Sequence, residues 1–290
     1  MKAMREAAVA DMAGLATRHP HLMRPNWKSR GITTAVVIGL TAAFVAGFAA
    51  LDFSWQRVFN GFGELGKIIT LMMPPSYGTE AKLLLWLTAL GETLAIAFLG
   101  TLAAAILALP FGFLAARNVV PSWIFRFSIR RGLDSIRGVD TLIWALIWIN
   151  VVGLGPFAGA LAIMTSDFGL FGKLFSEAIE AAEETDGEGV LSTGGSELQR
   201  IRFGLIPQVL PVLLSQVLYY FESNTRSATI IGIVGAGGIG LHLSEQIRTL
   251  EWQQVSCLVL MILVTVAIID VISSRLRFAI IGRRTSGMQI

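Results

Sequence analysis

Glu222, Asn224, Arg226 and Thr229 fall within one largely apolar stretch, Leu210 to Ile233. Ionisable groups in such a stretch are costly, so they pair with one another or line a polar pathway. Glu222 and Arg226 are four residues apart and share a helix face, which suits an ion pair. The same arginine also presents a planar fork able to grip two oxygens of an anion. Metal chemistry has little to work with, because Cys257 is the single cysteine and His19, His21 and His242 form no H-x-x-x-H pair. Nor can these three histidines supply a Ser-His-Asp or Cys-His constellation.

Two glycine motifs are decoys. Gly235-Ala-Gly-Gly-Ile-Gly240 satisfies the dinucleotide fingerprint, yet it falls between two apolar runs rather than after the strand of a βαβ unit. Its glycines suit a sharp turn and close helix approach. Gly61 to Ile68 matches a phosphate loop except at its last position, where isoleucine replaces the hydroxyl that would hold Mg²⁺.

These groups belong to a chain of 290 residues that is 54% hydrophobic and 15% charged, with a mean hydropathy of +0.66. Soluble domains average about 25% charged residues, so an integral membrane protein is expected. The net charge of +3 does not argue for nucleic acid, since lysine and arginine collect in the cytoplasmic loops of membrane proteins.

About 20 apolar residues of helix span a bilayer. Ile32 to Leu51 is the first such run, after a basic N-terminus without the pattern of a cleaved signal. Leu83 to Ala116 is the second, and the arginines at 117, 126, 130, 131 and 137 mark its cytoplasmic end. Between them, Trp55 to Met72 has the spacing of an amphipathic helix on the outer surface or packed against the bundle. The region 141–175 holds either one tilted crossing or a hairpin hinged at Gly153-Leu-Gly-Pro156, while Leu210 to Ile233 and Gln253 to Ser274 complete the set. Basic residues outside the first and last runs put both termini in the cytoplasm. The crossing number is then even, which selects the hairpin and six helices.

The expected fold is therefore all-α and polytopic. Its parts are a cytoplasmic N-terminal segment (1–31), an anchor helix with an external amphipathic segment (32–80), a core (81–280) carrying a cytoplasmic loop (176–207), and a cytoplasmic tail (281–290).

That loop holds Glu188, Gly194 six residues later, and Pro207 thirteen beyond the glycine. The spacing resembles the EAA loop of binding-protein-dependent ABC importer permeases, although Gly189 and Val190 replace the alanines, Gly204 stands where the pattern has isoleucine, and Ile206 replaces leucine. Such a loop joins two short helices at a turn whose residue lacks a side chain, so that the elbow can seat in a partner's groove. Gly194 and Gly195 supply the turn, Ser196 can cap the second helix, and Glu197 favours its dipole. Leu198, Ile201, Phe203 and Leu205 are expected to form its apolar face.

Arg202 to Pro211, Tyr219 to Gly240, Glu92 to Thr101 and Leu109 to Asn118 are similar to the permease subunit of phosphonate ABC importers, a resemblance covering roughly residues 80–280. It implies a type I importer permease in the bacterial inner membrane that does no chemistry itself. The implied partners are a second permease subunit in a homodimer, two ATPase subunits and a periplasmic or lipid-anchored phosphonate-binding protein. No cofactor is expected in this chain, since ATP and Mg²⁺ would be bound by the ATPases. Glu188, Gly194, Gly195, Ser196 and Pro207 would couple to them, and Glu222, Asn224, Arg226 and Thr229 would line the substrate pathway. A related permease for phosphite, an amino acid or another small solute is the nearest alternative; an ion-driven transporter would show a larger bundle with internal repeats.

Overall fold

A computed structural model describes residues 27–51 and 53–285. The arginines at 5, 18 and 24, with His19 and His21, lie outside the described residues, as does the end of the expected tail. Every described element is helical. The chain divides into two compact units, residues 1–67 and 68–290.

In the first unit α1 (Trp27–Ala50) exposes nearly every side chain, as a lipid-facing span does. Helix α2 (Trp55–Leu71), which runs on into the second unit, is the expected amphipathic segment and buries none of its residues. The aromatic run Phe44, Phe48, Phe53, Trp55 and Phe59 keeps consecutive ring centroids 4.6 to 6.3 Å apart across the α1–α2 turn. Gly61 to Ile68 is helical, so it forms no phosphate-binding loop.

The second unit is built on α3 (Glu80–Ala115), which begins at a Thr79 cap and continues through Pro110. Beside it runs α6 (Pro156–Glu180). Gly100 faces Ile163 and Gly112 faces Phe175, so the two helices are parallel and packed through small residues; a Cβ at either glycine would stand 2.7 to 2.8 Å from the partner Cβ. Helix α9 (Ile206–Ile233) is antiparallel to both: its Val209 and Leu213 share one buried cluster with Ala104, Ala105 and Ala108, and its Ala228 and Ile231 share another with Ile96 and Ala97. Along α9 lies α11 (Trp252–Thr285), tied by Ser273 Oγ donating to the Leu218 carbonyl at 3.1 Å.

The region 141–175 is a hairpin. Helix α5 (Thr141–Val152) has an Asp140 cap and is only 12 residues long, about 18 Å. Gly153 and Gly155, with φ of +93° and +134°, make the hinge. Helix α4 (Trp123–Arg137) meets α5 at 84° and packs Leu133 beneath Gly169 and Gly172 of α6. Among the described residues, four helices are long and apolar enough to cross a membrane alone, and the bent α4–α5 pair is a fifth candidate. With the α5–α6 hairpin this is compatible with six crossings. Several boundaries differ from expectation: α1 begins at Trp27 rather than Ile32, α6 continues five residues past 175, and α11 runs to Thr285.

Candidate coupling elbow and membrane-embedded polar sites

At the Pro207 end of α9 the chain forms an elbow. Helix α7 (Thr185–Ser192) carries Glu188, which is exposed. Gly194 then turns the chain with φ +87°, and a Cβ there would meet nothing within 4 Å. Its lack of a side chain therefore serves backbone conformation rather than internal packing. Gly195 differs, since a Cβ there would stand 2.7 Å from the Val190 carbonyl oxygen. Ser196 forms a complete capping box: its Oγ accepts from the Gln199 amide at 3.4 Å, and its own amide donates to Gln199 Oε1 at 2.7 Å.

The expected second short helix is not separate. Helix α8 (Glu197–Gln199) passes through a π-helical segment (Arg200–Leu205) straight into α9, so Pro207 removes one backbone donor from a continuous helix. The expected apolar face is also broken up: Leu198 and Phe203 are exposed, while Leu205 is buried. The π segment changes the angular spacing, so side chains that a regular helix would align diverge.

Three contacts that sequence reasoning missed hold the elbow to the bundle. Gly204 lies against Gly187, where a Cβ would stand 2.8 Å from the Gly187 Cα, which accounts for glycine at the position the pattern gives to isoleucine. Gln208 clamps the start of α7, donating to Asp186 Oδ2 in its first turn at 2.9 Å and accepting from the Glu183 amide just before it at 3.1 Å. Arg200 donates to the Asn118 carbonyl at 3.0 Å, and Asn118 donates to the Ile179 carbonyl at 2.7 Å. A cleft of about 460 Å³ opens between the end of α6 and the start of α9, with Glu183, Asp186 and Gln208 on its wall.

The four expected pathway residues of α9 do not form one site. Asn224 points inward, donating to Thr101 Oγ1 on α3 at 2.8 Å and to Asp167 on α6. Glu222, Arg226 and Thr229 share a different face. Glu222 is buried, and its nearest cation is Arg277 of α11 at 2.9 Å rather than Arg226 at 3.9 Å. Arg226 is half exposed. Thr229 donates to the Thr225 carbonyl at 3.3 Å. The sequence signal that would have found Arg277 was weak, because it reads as one more basic residue in a basic C-terminus.

Residues 232–240 form the glycine turn, with positive φ at Gly235, Gly237 and Gly238. It docks on the α5–α6 hinge, where the Gly155 amide donates to the Gly235 carbonyl at 3.1 Å. The short helix α10 (Ile239–Arg248) follows, its first amide donating to buried Thr93 at 2.9 Å. No metal-binding group of histidine, cysteine and carboxylate side chains occurs among the described residues.

Long apolar helices, a glycine-turned elbow and polar groups inside the spans define a multi-pass transport permease. The chain belongs to the binding-protein-dependent transport system inner membrane component family, whose pattern matches residues 108–286. Among its relatives is HtxC of Stutzerimonas stutzeri, named as a permease protein of a phosphite transport system. It is 38% identical over 263 residues, covering 90% of this chain and 91% of the relative. The phosphate-import permease protein PhnE of Mycolicibacterium smegmatis is 35% identical over 82% of this chain and 44% of its own length. A cryptic phosphonate system of Escherichia coli K12 gives its name to PhnE2, which is 50% identical over 40% of this chain and 96% of the relative. The fold is that of the MetNI methionine ABC transporter in an inward-facing form, with a TM-score of 0.59 at 18% identity over 70% of this chain and 99% of that one.

Proposed function

We propose that this chain is the translocating subunit of an ATP-driven importer for phosphonates. The reading rests on the likeness along 90% of the chain to a permease named for phosphite transport, together with shorter likenesses to permeases named for phosphate and phosphonate. Their named substrates share a tetrahedral phosphorus centre bearing anionic oxygens. Phosphite is the second reading, favoured by the most extensive of these likenesses.

Two copies of the chain pair around the pathway, each engaged by one ATPase subunit, with a phosphonate-binding protein delivering substrate from outside. Both termini and the elbow face the cytoplasm. No cofactor is bound by the permease itself, and ATP with Mg²⁺ stays on the ATPases. Glu188, Gly194, Gly195, Ser196 and Pro207 form the coupling surface. The exposed Gly194 turn enters the ATPase groove, while the Gln208 and Arg200 clamps at its base carry the push into α9 and α6. Differential binding of the elbow by ATP-bound and ATP-free ATPases biases a two-state bundle. On α9, half-exposed Arg226 attracts the anion with its fork of N–H donors, beside Glu222 and Thr229. Asn224 contributes from the opposite face by fixing α9 against α3 and α6.

Reconstituting the permease with the ATPase and binding protein of its own system in liposomes tests this. ATP-dependent uptake of methylphosphonate in preference to phosphite and inorganic phosphate is the expected result. Preference for phosphite would select the second reading. Uptake without ATPase subunits would refute the assignment.

A further inference from the structure

Arg277 lies on α11 within the apolar span that ends at Ile280, although by sequence it reads as part of the basic tail. One guanidinium nitrogen donates both to Glu222 Oε2 at 2.9 Å and to Ser273 Oγ at 3.0 Å, and the guanidinium carbon stands 5.7 Å from the centre of the Tyr219 ring. The other oxygen of the same carboxylate faces Arg226 at 3.9 Å. A single carboxylate thus lies between two guanidiniums. Asp270, two turns before Arg277 on the same helix, makes no ion pair with either of them among the described residues. The three groups in contact carry an excess positive charge inside an apolar span, a costly arrangement for a merely structural pair.

We propose that Arg277 is a second anion-binding station, following Arg226 toward the Pro207 end of α9, and that Glu222 is a placeholder the substrate displaces. This rests on the reading of the chain as a phosphorus-oxyanion permease. A carboxylate and a phosphonate compete for the same guanidinium N–H groups. When the anion sits on Arg226, Glu222 occupies Arg277, as in the structure. When the anion moves on to Arg277, Glu222 turns to Arg226 by a side-chain rotation, since its two oxygens already face the two cations. Each cation keeps an anionic partner throughout, so no step strands a bare guanidinium in the low-dielectric interior. The Tyr219 ring holds the Arg277 cation in place during the exchange.

The complete importer in liposomes, with methylphosphonate as probe, tests the proposal. Arg277→Gln is expected to lower the uptake rate at least tenfold. The double variant Glu222→Gln with Arg277→Gln removes both charges of the close pair, so it is expected to assemble at wild-type level and yet transport as poorly as Arg277→Gln. Glu222→Gln alone is expected to slow uptake at least threefold while ATP hydrolysis continues, because the anion is then held without a competitor. If the double variant restores uptake to more than half of wild type, Arg277 is only the counter-ion of Glu222 and the proposal is overturned. A defective Arg226→Lys in that case would leave the permease reading standing. Wild-type uptake in Arg226→Lys, together with a restored double variant, would remove Arg226 as a station as well, whereas the permease reading fails only if the wild-type importer takes up no phosphorus oxyanion.

Discussion

Asn224 and Asp167 meet in the interior of the bundle, the amide of one donating to the carboxyl of the other, and the same amide reaches Thr101 at 2.8 Å. One side chain thereby joins α9 to α6 and α3, three helices whose remaining contacts are largely apolar. Interhelical hydrogen bonds in membranes contribute about 0.6 kcal/mol each and at most about 1.7. Asn224→Leu is therefore expected to destabilise the protein by about 1 to 2 kcal/mol. Asp167→Asn, which retains an acceptor, is expected to cost under about 0.5 kcal/mol. Thermal unfolding of the detergent-solubilised protein measures both, and equal losses would contradict this account.

The α3–α6 seam relies on small residues at particular heights. Gly112→Leu sets a Cβ 2.7 Å from that of Phe175, whereas a Cβ at Gly39 on α1 meets nothing within 4 Å, so Gly39→Leu starts from open space. Overpacking costs about 1 to 3 kcal/mol or more. The first variant is expected to lose most of its folded yield and the second to retain it, as size-exclusion profiles of the two would report.

At the elbow, Gly194 and Gly195 separate conformation from packing. Gly194→Ala keeps the space and costs about 1 to 2 kcal/mol for its left-handed backbone. Gly194→Arg is expected to assemble in the membrane but to bind the ATPase weakly and abolish uptake, because a long hydrated cation cannot enter a groove. Normal coupled uptake in Gly194→Arg would reject the coupling role of this turn.

Sidedness is checked by cysteine labelling in a Cys257→Ser background. Positions 131 and 194 are expected to react from the cytoplasmic side and position 154, in the α5–α6 hinge, from the other. Opposite sidedness at 131 and 194 would exclude a six-helix topology.

Charge tests on α9 must allow for Arg277. Exchanging Glu222 and Arg226 would set an arginine against Arg277 at the 2.9 Å contact, so failure of the exchange would say nothing about substrate. Arg226→Lys is the cleaner variant. It keeps the charge but loses the fork, and it is expected to lower methylphosphonate uptake roughly tenfold while assembly is unchanged. Undiminished uptake would assign Arg226 a purely structural role.

The apolar runs, the glycine hinges and the Gly194 turn were legible in the sequence because each follows from local chemistry. A helix must be about 20 apolar residues long to cross lipid, and a positive φ strongly favours glycine. The Ser196 cap was legible for the same reason, its partner being three residues away. What the tertiary structure alone decided is which faces meet. Glu222 and Arg277 are 55 residues apart, Asn224 and Asp167 57, and Asn224 and Thr101 123. Such pairings depend on the rotation and height of each helix against its neighbours. A soluble helix announces that rotation by an apolar stripe, but in a membrane protein the lipid-facing and core-facing sides are both apolar and the stripe disappears. Thus the i,i+4 spacing pointed to Arg226 as the partner of Glu222, and the packing of α11 against α9 supplied a nearer one.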